Sequence, residues 1–364
     1  MSPRPTFSNR RFTTSRAARF SETNRTERPS STVVAIRFDM VWDFPVPGGP
    51  TRRTPLGIFA PTAVNLSGLL RKSTTSVNSN SSDKILVLGT AQDGGYPHAG
   101  CERLCCKDAW KIDSLRKMVS SIAIIDPRSG LAWMFDATPD FAAQYNIITK
   151  EHGARLAGIF LTHAHIGHYT GLMHLGREVM GAKNIVVYAM PRMKKFLEKN
   201  GPWNQLVTLK NIHISTIKDK KEVLLSRDLI VEPFLVPHRD EFSEAVGYNI
   251  MGPNESLIYI PDIDKWEKWE HDIRYWIESN SYAILDGTFY YDGEVPNRNM
   301  SEIPHPFIIE SINYFEGLLN RNQKKIFFIH LNHTNPAIHK NSAASKNIIK
   351  NGFNTARRGM KFFF

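Results

Sequence analysis

The stretch LTHAHIGHYTGL, residues 161–172, carries His163, His165 and His168 within six positions at the end of an apolar run. His163 and His165 stand two apart where a strand would stop, and His168 follows three later. A local chain reversal can therefore aim the three imidazoles at neighbouring points. Zinc favours a tetrahedron of imidazole and carboxylate ligands, and a catalytic zinc keeps one position for water. Such a metal lowers the pKa of its water to roughly 7, which supplies hydroxide at neutral pH. The cluster is read as a metal site, whereas the solitary His152, His174, His213 and His339 are read as structural residues. A second set lies upstream in HAGCERLCCKD, which holds all three cysteines of the chain, Cys101, Cys105 and Cys106. An odd, clustered set makes a poor disulfide framework and a better metal clip, and a closed structural zinc needs a fourth ligand beside the three thiolates. His98 is a local candidate for it.

The elements around these residues alternate short β-rich runs with helical patterns. KILVLG, LAGIFLT, NIVVYA, LIVEPFLVPH, AVGYNIM, SLIYIPD, YAILDGT and KKIFFIH read as strands, and SSIAIID with LAWMFD reads as a hairpin turning at PRSG. Helices are expected from Gly171, over PRMKKFLEKN, over DKWEKWEHDIRYWIES, over PFIIESINYFEGLL and near SAASKNIIKNG. Trp266, Trp269, Ile273 and Trp276 stand at helical spacing, the stripe of a helix docked on a sheet. Asp136, His163, His238, Asp262 and His330 each close an apolar run. Polar groups at several strand ends are what an active site at a sheet edge requires, because a strand fixes its last residue while the loop leaves room for substrate.

That ordered set resembles the metallo-β-lactamase superfamily over about residues 84–360. Within it, LGTAQDGGYP, ATPDF, HYTGL, LDGT, NRNM and HLNHTNP are similar to segments of the pyrroloquinoline quinone biosynthesis protein B (PqqB) group and of the related cyclic phosphodiesterases. The resemblance implies an α/β fold, an αββα sandwich of two mixed sheets flanked by helices. It implies a first metal on His163, His165 and His238, a second on His168 and His330, and Asp262 as the bridge between them. Asp136 would support the histidine loop by hydrogen bonding. His305, in EIPHPF, matches the place of the phosphodiesterases' proton donor, and His333 matches the fourth ligand of their three-cysteine zinc. The implied cofactors are one structural Zn2+ and one or two catalytic metals, Zn2+ with Mn2+ or Fe as alternatives.

The pattern is departed from twice. Where the superfamily has an aspartate for the second metal this chain has Gly167, which leaves that position weak, empty, or completed by a nearby side chain such as Asp93 or Asp240. Conversely, His163 and His165 are present here, whereas the quinone-biosynthesis group lacks the leading histidines.

The net charge of +11 over 364 residues looks at first like a nucleic-acid signal. Residues 1–82, however, hold 12 Arg and Lys against 4 Asp and Glu, which leaves the rest near neutrality. That segment, rich in Arg, Ser, Thr and Pro, is read as a disordered basic leader and linker, either a transit segment for organellar import or an upstream extension, ahead of one metal-dependent hydrolase domain at 83–364. No run approaches the ~18 apolar residues of a spanning helix, so the expectation is a cytoplasmic protein with no membrane or nucleic-acid partner, with a homodimer left open. The function expected is hydrolysis by metal-bound hydroxide of a phosphoester, ester or amide in a small, anionic substrate, with His305 and Asp262 as catalytic groups. Arg177, Arg239 and Lys265 are the basic residues nearest the motifs. The alternatives are an oxidative or carrier role in quinone-cofactor biosynthesis and a non-catalytic metal-binding module.

Overall fold

The computed structural model describes residues 83–318 and 320–364, so the leader expected at 1–82 lies outside the described residues. Two seven-stranded sheets form the centre. The first runs in the order β14 (Lys361–Phe363), β1 (Lys84–Gly89), β2 (Ser121–Asp126), β3 (Leu131–Phe135), β4 (Arg155–Phe160), β5 (Ile185–Ala189), β6 (Ile212–Thr216). The second runs β13 (Asn354–Thr355), β12 (Ile326–Ile329), β11 (Tyr282–Asp286), β10 (Ser256–Ile260), β9 (Val246–Met251), β8 (Leu229–Leu235), β7 (Val223–Ser226).

Strands buried on both faces need apolar residues at every position, and β1, β2 and β3 are buried almost throughout. One layer of side chains, including Ile122, Phe135, Phe160, Tyr248, Tyr259 and Ile284, lies between the sheets. Each outer face has its own apolar layer, with Phe141, Leu172 and Met193 on the first sheet and Trp266, Ile277 and Ile348 on the second. The architecture is the expected αββα sandwich. Phe135 and Phe160 stack at 5.1 Å and are fully buried, so truncating either to Ala would cost about 3–5 kcal/mol.

Strand direction explains why the chemistry gathers at one edge. β3, β4, β5 and β6 are mutually parallel, as are β10, β11, β12 and β13. β1 reaches β3 through the antiparallel β2, and β8 reaches β10 through the antiparallel β9, so both share the direction of the parallel strands. The loops after β1, β3, β4, β8, β10, β11 and β12 consequently open at carboxyl ends of like-directed strands, where open sheets bind ligands. They carry Asp93, Asp136, His163, His238, Asp262, the strand-terminal Asp286 and His330 in that order. Asp136 and His330 take left-handed backbone at φ 67° and 63°, which swings each side chain sharply off its strand.

Two helical expectations are corrected. In place of a helix from Gly171, one α-turn at Ile166–Tyr169 leads into a 3-10 turn at Thr170–Leu175. The tryptophan stripe is broken into a 3-10 turn at Trp266–Lys268 and a helix at Ile273–Ser279, because Asp272 accepts from the Arg274 amide and starts a new helix there. Trp266 and Trp269 still face the second sheet, their indole N–H groups donating to Ser311 Oγ and the Leu235 carbonyl. No helix among the described residues is long and apolar enough to cross a membrane.

Candidate metal centre

His163, His165 and His238 form one ligand-sized group, and Asp93, His168 and His330 form another beside it. His163 Nε2 stands 2.8 Å from His165 Nδ1. Asp262 Oδ2 lies 3.8 Å from His163 Nε2, 2.9 Å from His168 Nε2 and 3.3 Å from His330 Nε2, the central place that the resemblance assigns to a bridge. Donors at about 2.0–2.1 Å from a tetrahedral ion sit roughly 3.3 Å from one another, so the spacings suit a bound cation.

The chemistry of the donors gives a sharper fit. Among the described residues, twelve buried side-chain N or O atoms lack a hydrogen-bond partner, and six of them belong here: Asp93 Oδ1, His168 Nε2, His238 Nδ1 and Nε2, Asp262 Oδ2 and His330 Nε2. His168 Nε2 and Asp93 Oδ1 are 3.1 Å apart yet lack the directional geometry of a hydrogen bond. Buried polar groups are almost always satisfied, and so many exceptions around one space, with one of the two His238 nitrogens among them, fit a place for a cation.

The supporting bonds assign the tautomers. Thr162 Oγ1 donates its single proton to Asp136, so it must accept from the His163 Nδ1–H, which leaves Nε2 as the lone-pair atom. His168 donates Nδ1–H to Asp136 Oδ2 at 2.7 Å, again freeing Nε2. The same device recurs on the other sheet, where Thr288 Oγ1 donates to Asp286 Oδ1 and accepts from the His330 Nδ1–H. Two carboxylate–threonine relays thus turn three imidazoles toward a common space, the outer-shell support that metal-binding histidines require.

Burial pushes the imidazoles of His163 and His165 down in pKa and that of His238 down to about 4, so the first group is neutral and ready to coordinate near neutral pH. His168 behaves differently. Burial pushes it down, but the charge and hydrogen bond of Asp136 with help from Asp262 and Asp93 outweigh burial and hold it well above the usual value. Burial likewise raises Asp93 and Asp262, and their histidine neighbours overcome it and hold both well below the carboxylate range. A dication held by the second group would take the place of a proton on His168 Nε2.

His305 completes the edge. Its Nδ1 donates to Asp286 Oδ2 at 2.7 Å and lies 3.6 Å from Asp262 Oδ1, and its ring centroid is 5.2 Å from that of His238. Its ligand atom also falls in a group with His238 and Asp262. Burial lowers its pKa, and the Asp286 charge and hydrogen bond, with Asp262, reverse the sign and raise it. His305 lines a cleft of about 380 Å³ that also holds Arg103, Arg239 and Arg298. None of the three guanidinium groups has an ion pair among the described residues. Arg177 pairs with Glu178, and Lys265 with Glu310, so Arg239 alone of the basic residues singled out in the sequence reaches the cleft.

Cys101, Cys105, Cys106 and His333 form a separate group. Cys101 and Cys105 sulfurs are 3.6 Å apart, and His333 Nδ1 lies 3.6 Å from Cys105 Sγ and 3.4 Å from Cys106 Sγ. These spacings fit a tetrahedral zinc with Zn–S near ~2.3 Å. No cysteine is in a disulfide. Burial pushes the Cys106 thiol up to about 12 and raises Cys105 also, whereas for Cys101 the Arg103 backbone hydrogen bond and the neighbouring sulfurs outweigh burial and lower it, so a bound cation would favour the thiolates that burial opposes at two of the three sulfurs. His98, the local competitor for the fourth place, stacks on His333 at 4.5 Å and stands outside the group. Asp240 is likewise set apart, bound to Arg192 on the surface. Sequence reasoning passed over Asp286 and Thr288 inside LDGT, and the pairing of Asp136 with Thr162; a second strand-end Asp with a Thr two residues on was the available signal.

A family profile described as a Beta-lactamase superfamily domain matches residues 133–330. Relatives named Coenzyme PQQ synthesis protein B, from Xanthomonas euvesicatoria pv. vesicatoria and Pseudomonas protegens, are 26% and 25% identical, over 76% of this chain and 99% and 98% of theirs. Among solved structures, the zinc-bound PqqB of Methylobacterium extorquens matches with a TM-score of 0.66 at 22% identity, covering 77% of this chain and all of that one. A diphosphatase of the PhnP family matches with a TM-score of 0.54 at 19% identity, covering 78% of this chain and 98% of that one.

Proposed function

Since the chain belongs to the beta-lactamase superfamily, we propose that it is a metal-dependent hydrolase of a small anionic substrate, with His305 as proton donor. The observation that carries this reading is the convergence of orphaned ligand atoms on a space bordered by His305, itself on a cleft with three unpaired arginines. His163, His165 and His238 would hold one metal, His168 and His330 a second, with Asp262 shared and Asp136 supporting the loop. A metal bound there supplies Lewis acidity and an acidified water.

The chain's own residues do the rest. Arg103, Arg239 and Arg298 neutralise the anionic part of the substrate and place it against the metal edge. Asp286 occupies Nδ1 of His305, which leaves Nε2 for the substrate, and its charge and hydrogen bond outweigh burial to raise the imidazole's pKa, which favours the protonated form that a donor to the leaving oxygen needs. Asp262 turns Oδ2 toward His163, His168 and His330, where it would be shared between the metals, and its Oδ1 lies on the side of His305. A phosphodiester, diphosphate or carboxylate-bearing ester meets these demands. The diphosphatase likeness is in keeping with that class, and the zinc in the Methylobacterium protein with the metal.

The test is a panel of phosphodiesters, diphosphate esters and anionic carboxylic esters, assayed with the wild type and His305→Gln at matched metal content. Hydrolysis that falls at least about 100-fold in the variant is expected. Equal rates in the two proteins would contradict the assignment. The relatives' name favours a second reading, an oxidative or carrier role in quinone-cofactor synthesis. Bound iron with oxygen-dependent turnover would select it, and zinc or manganese with hydrolysis would not.

A further inference from the structure

We propose that Asp93, delivered by the loop after β1, is the second metal's carboxylate ligand, and that it stands in the volume that a side chain at position 167 would need. The inference rests on the two-metal reading above and adds where the carboxylate comes from. A Cβ built on Gly167 would lie 2.1 Å from Asp93 Oδ1, 2.6 Å from its Cα and 2.9 Å from its Cγ. Real Cβ atoms do not approach so closely, and here the obstacle includes backbone, so no rotation of a side chain relieves it. Positions 93 and 167 are mutually exclusive owners of one space. Asp93 fills it with a carboxylate whose Oδ1 is 3.1 Å from His168 Nε2 and 3.7 Å from His330 Nε2, with Asp262 Oδ2 adjacent to the same two nitrogens. Asp93 Oδ1, His168 Nε2 and His330 Nε2 are all buried without hydrogen-bond partners, which is the condition of atoms that face a cation.

The backbone around Asp93 is fixed independently of any metal. The Gln92 amide donates to the Leu331 carbonyl, Ala91 forms a β-bridge with Leu331, and Gln92 Oε1 accepts from Asn332 Nδ2. Asp93 and His330 are therefore presented by two loops zipped to each other, three residues from His333 of the cysteine group. Gly167 is required because the chain passes against Asp93 there. Its lack of a side chain makes room for a donor atom and does not mark a lost one.

The second ion's dependence on the Asp93 carboxylate is the test, and zinc count is its readout. Apo wild type, Asp93→Asn, Asp93→Glu and Gly167→Asp are each titrated with Zn2+ and counted by elemental analysis after removal of free metal. Wild type should hold two zinc ions beyond the one at the cysteines. Asp93→Asn, which keeps the shape and loses the charge, should hold one beyond the cysteines, and Gly167→Asp, which forces a side chain against the Asp93 backbone, should hold no more than one. Asp93→Glu, which keeps a carboxylate, should bind the second ion more tightly than Asp93→Asn. A merely structural role for Asp93 would not rank the longer Glu above the isosteric Asn. Retention of both ions by Asp93→Asn, or a second site no stronger in Asp93→Glu than in Asp93→Asn, overturns the proposal while the two-metal reading stands. A wild type without zinc beyond the cysteine group overturns both.

Discussion

The molecule carries two ligand groups close together, and they are built on opposite principles. The cysteine group is closed, with four donors to satisfy a tetrahedron and a histidine ring stacked over its fourth member. The histidine–aspartate centre is open. Its donors divide into two sets around one carboxylate, two carboxylate–threonine relays orient them from behind, and a basic cleft adjoins them through His305. Closed coordination suits a structural role, and a position left for water suits catalysis. The two groups are tied together, because the loop holding His333 also holds His330 and is zipped to the loop of Asp93.

The largest break of this contrast is His163→Ala. It should abolish hydrolysis by about 10³-fold or more and remove one metal, yet leave the cysteine metal and its thiolate absorption under Co2+ substitution unchanged. Asp286→Asn should lower kcat by about 10²-fold with metal content retained, and flatten the limb of the pH profile that reports the proton donor. Loss of metal in that variant would mean that Asp286 acts through His330 instead.

On the closed side, Glu294 is buried and accepts from the Tyr290 and Tyr291 amides and from Thr334 Oγ1, beside His333. Burial, opposed only in part by those bonds, pushes its pKa up from 4.5 to about 7. Between these values the folded state binds the extra proton, so its contribution is present below pH ~4.5 and is lost as pH rises through about 7. Wild type should therefore lose up to about 3 kcal/mol more than Glu294→Gln between pH 4.5 and 7.5, read from urea midpoints. Parallel curves would refute the assignment.

Cys105→Ser should release the structural ion and weaken zinc at the second position by about 10–100-fold while sparing the first, because only the second draws on the zipped loops. The smallest effect belongs to the cleft. Arg298→Ala should raise KM for an anionic substrate by roughly tenfold with kcat nearly unchanged, and leave a neutral analogue unaffected.

Much of this was legible in the sequence wherever one strand ends on one polar residue. Asp136, His163, His238, Asp262 and His330 announce themselves because an apolar run stops at each, and His98 was separable from His333 only by where the loops meet. What escaped depends on pairs distant in the chain. Asp93 could be named only as one of two neighbours, since its standing against Gly167 arises when the loop after β1 crosses the turn after β4. Asp286 ends an ordinary buried strand, and only its bonds to Thr288 and His305 reveal its work. The tryptophan stripe misled about helix length because side-chain burial preserves a periodicity that the backbone interrupts at Asp272. The pairing of β14 with β1, which closes the first sheet's edge, had no local signal in three residues.

The most direct test is anomalous diffraction at the zinc edge from crystals of the zinc-loaded chain. Three peaks are expected, one among Cys101, Cys105, Cys106 and His333 and two flanking Asp262 at about 3.5–4 Å from each other. A single peak at the cysteines, with none beside Asp262, would contradict this expectation.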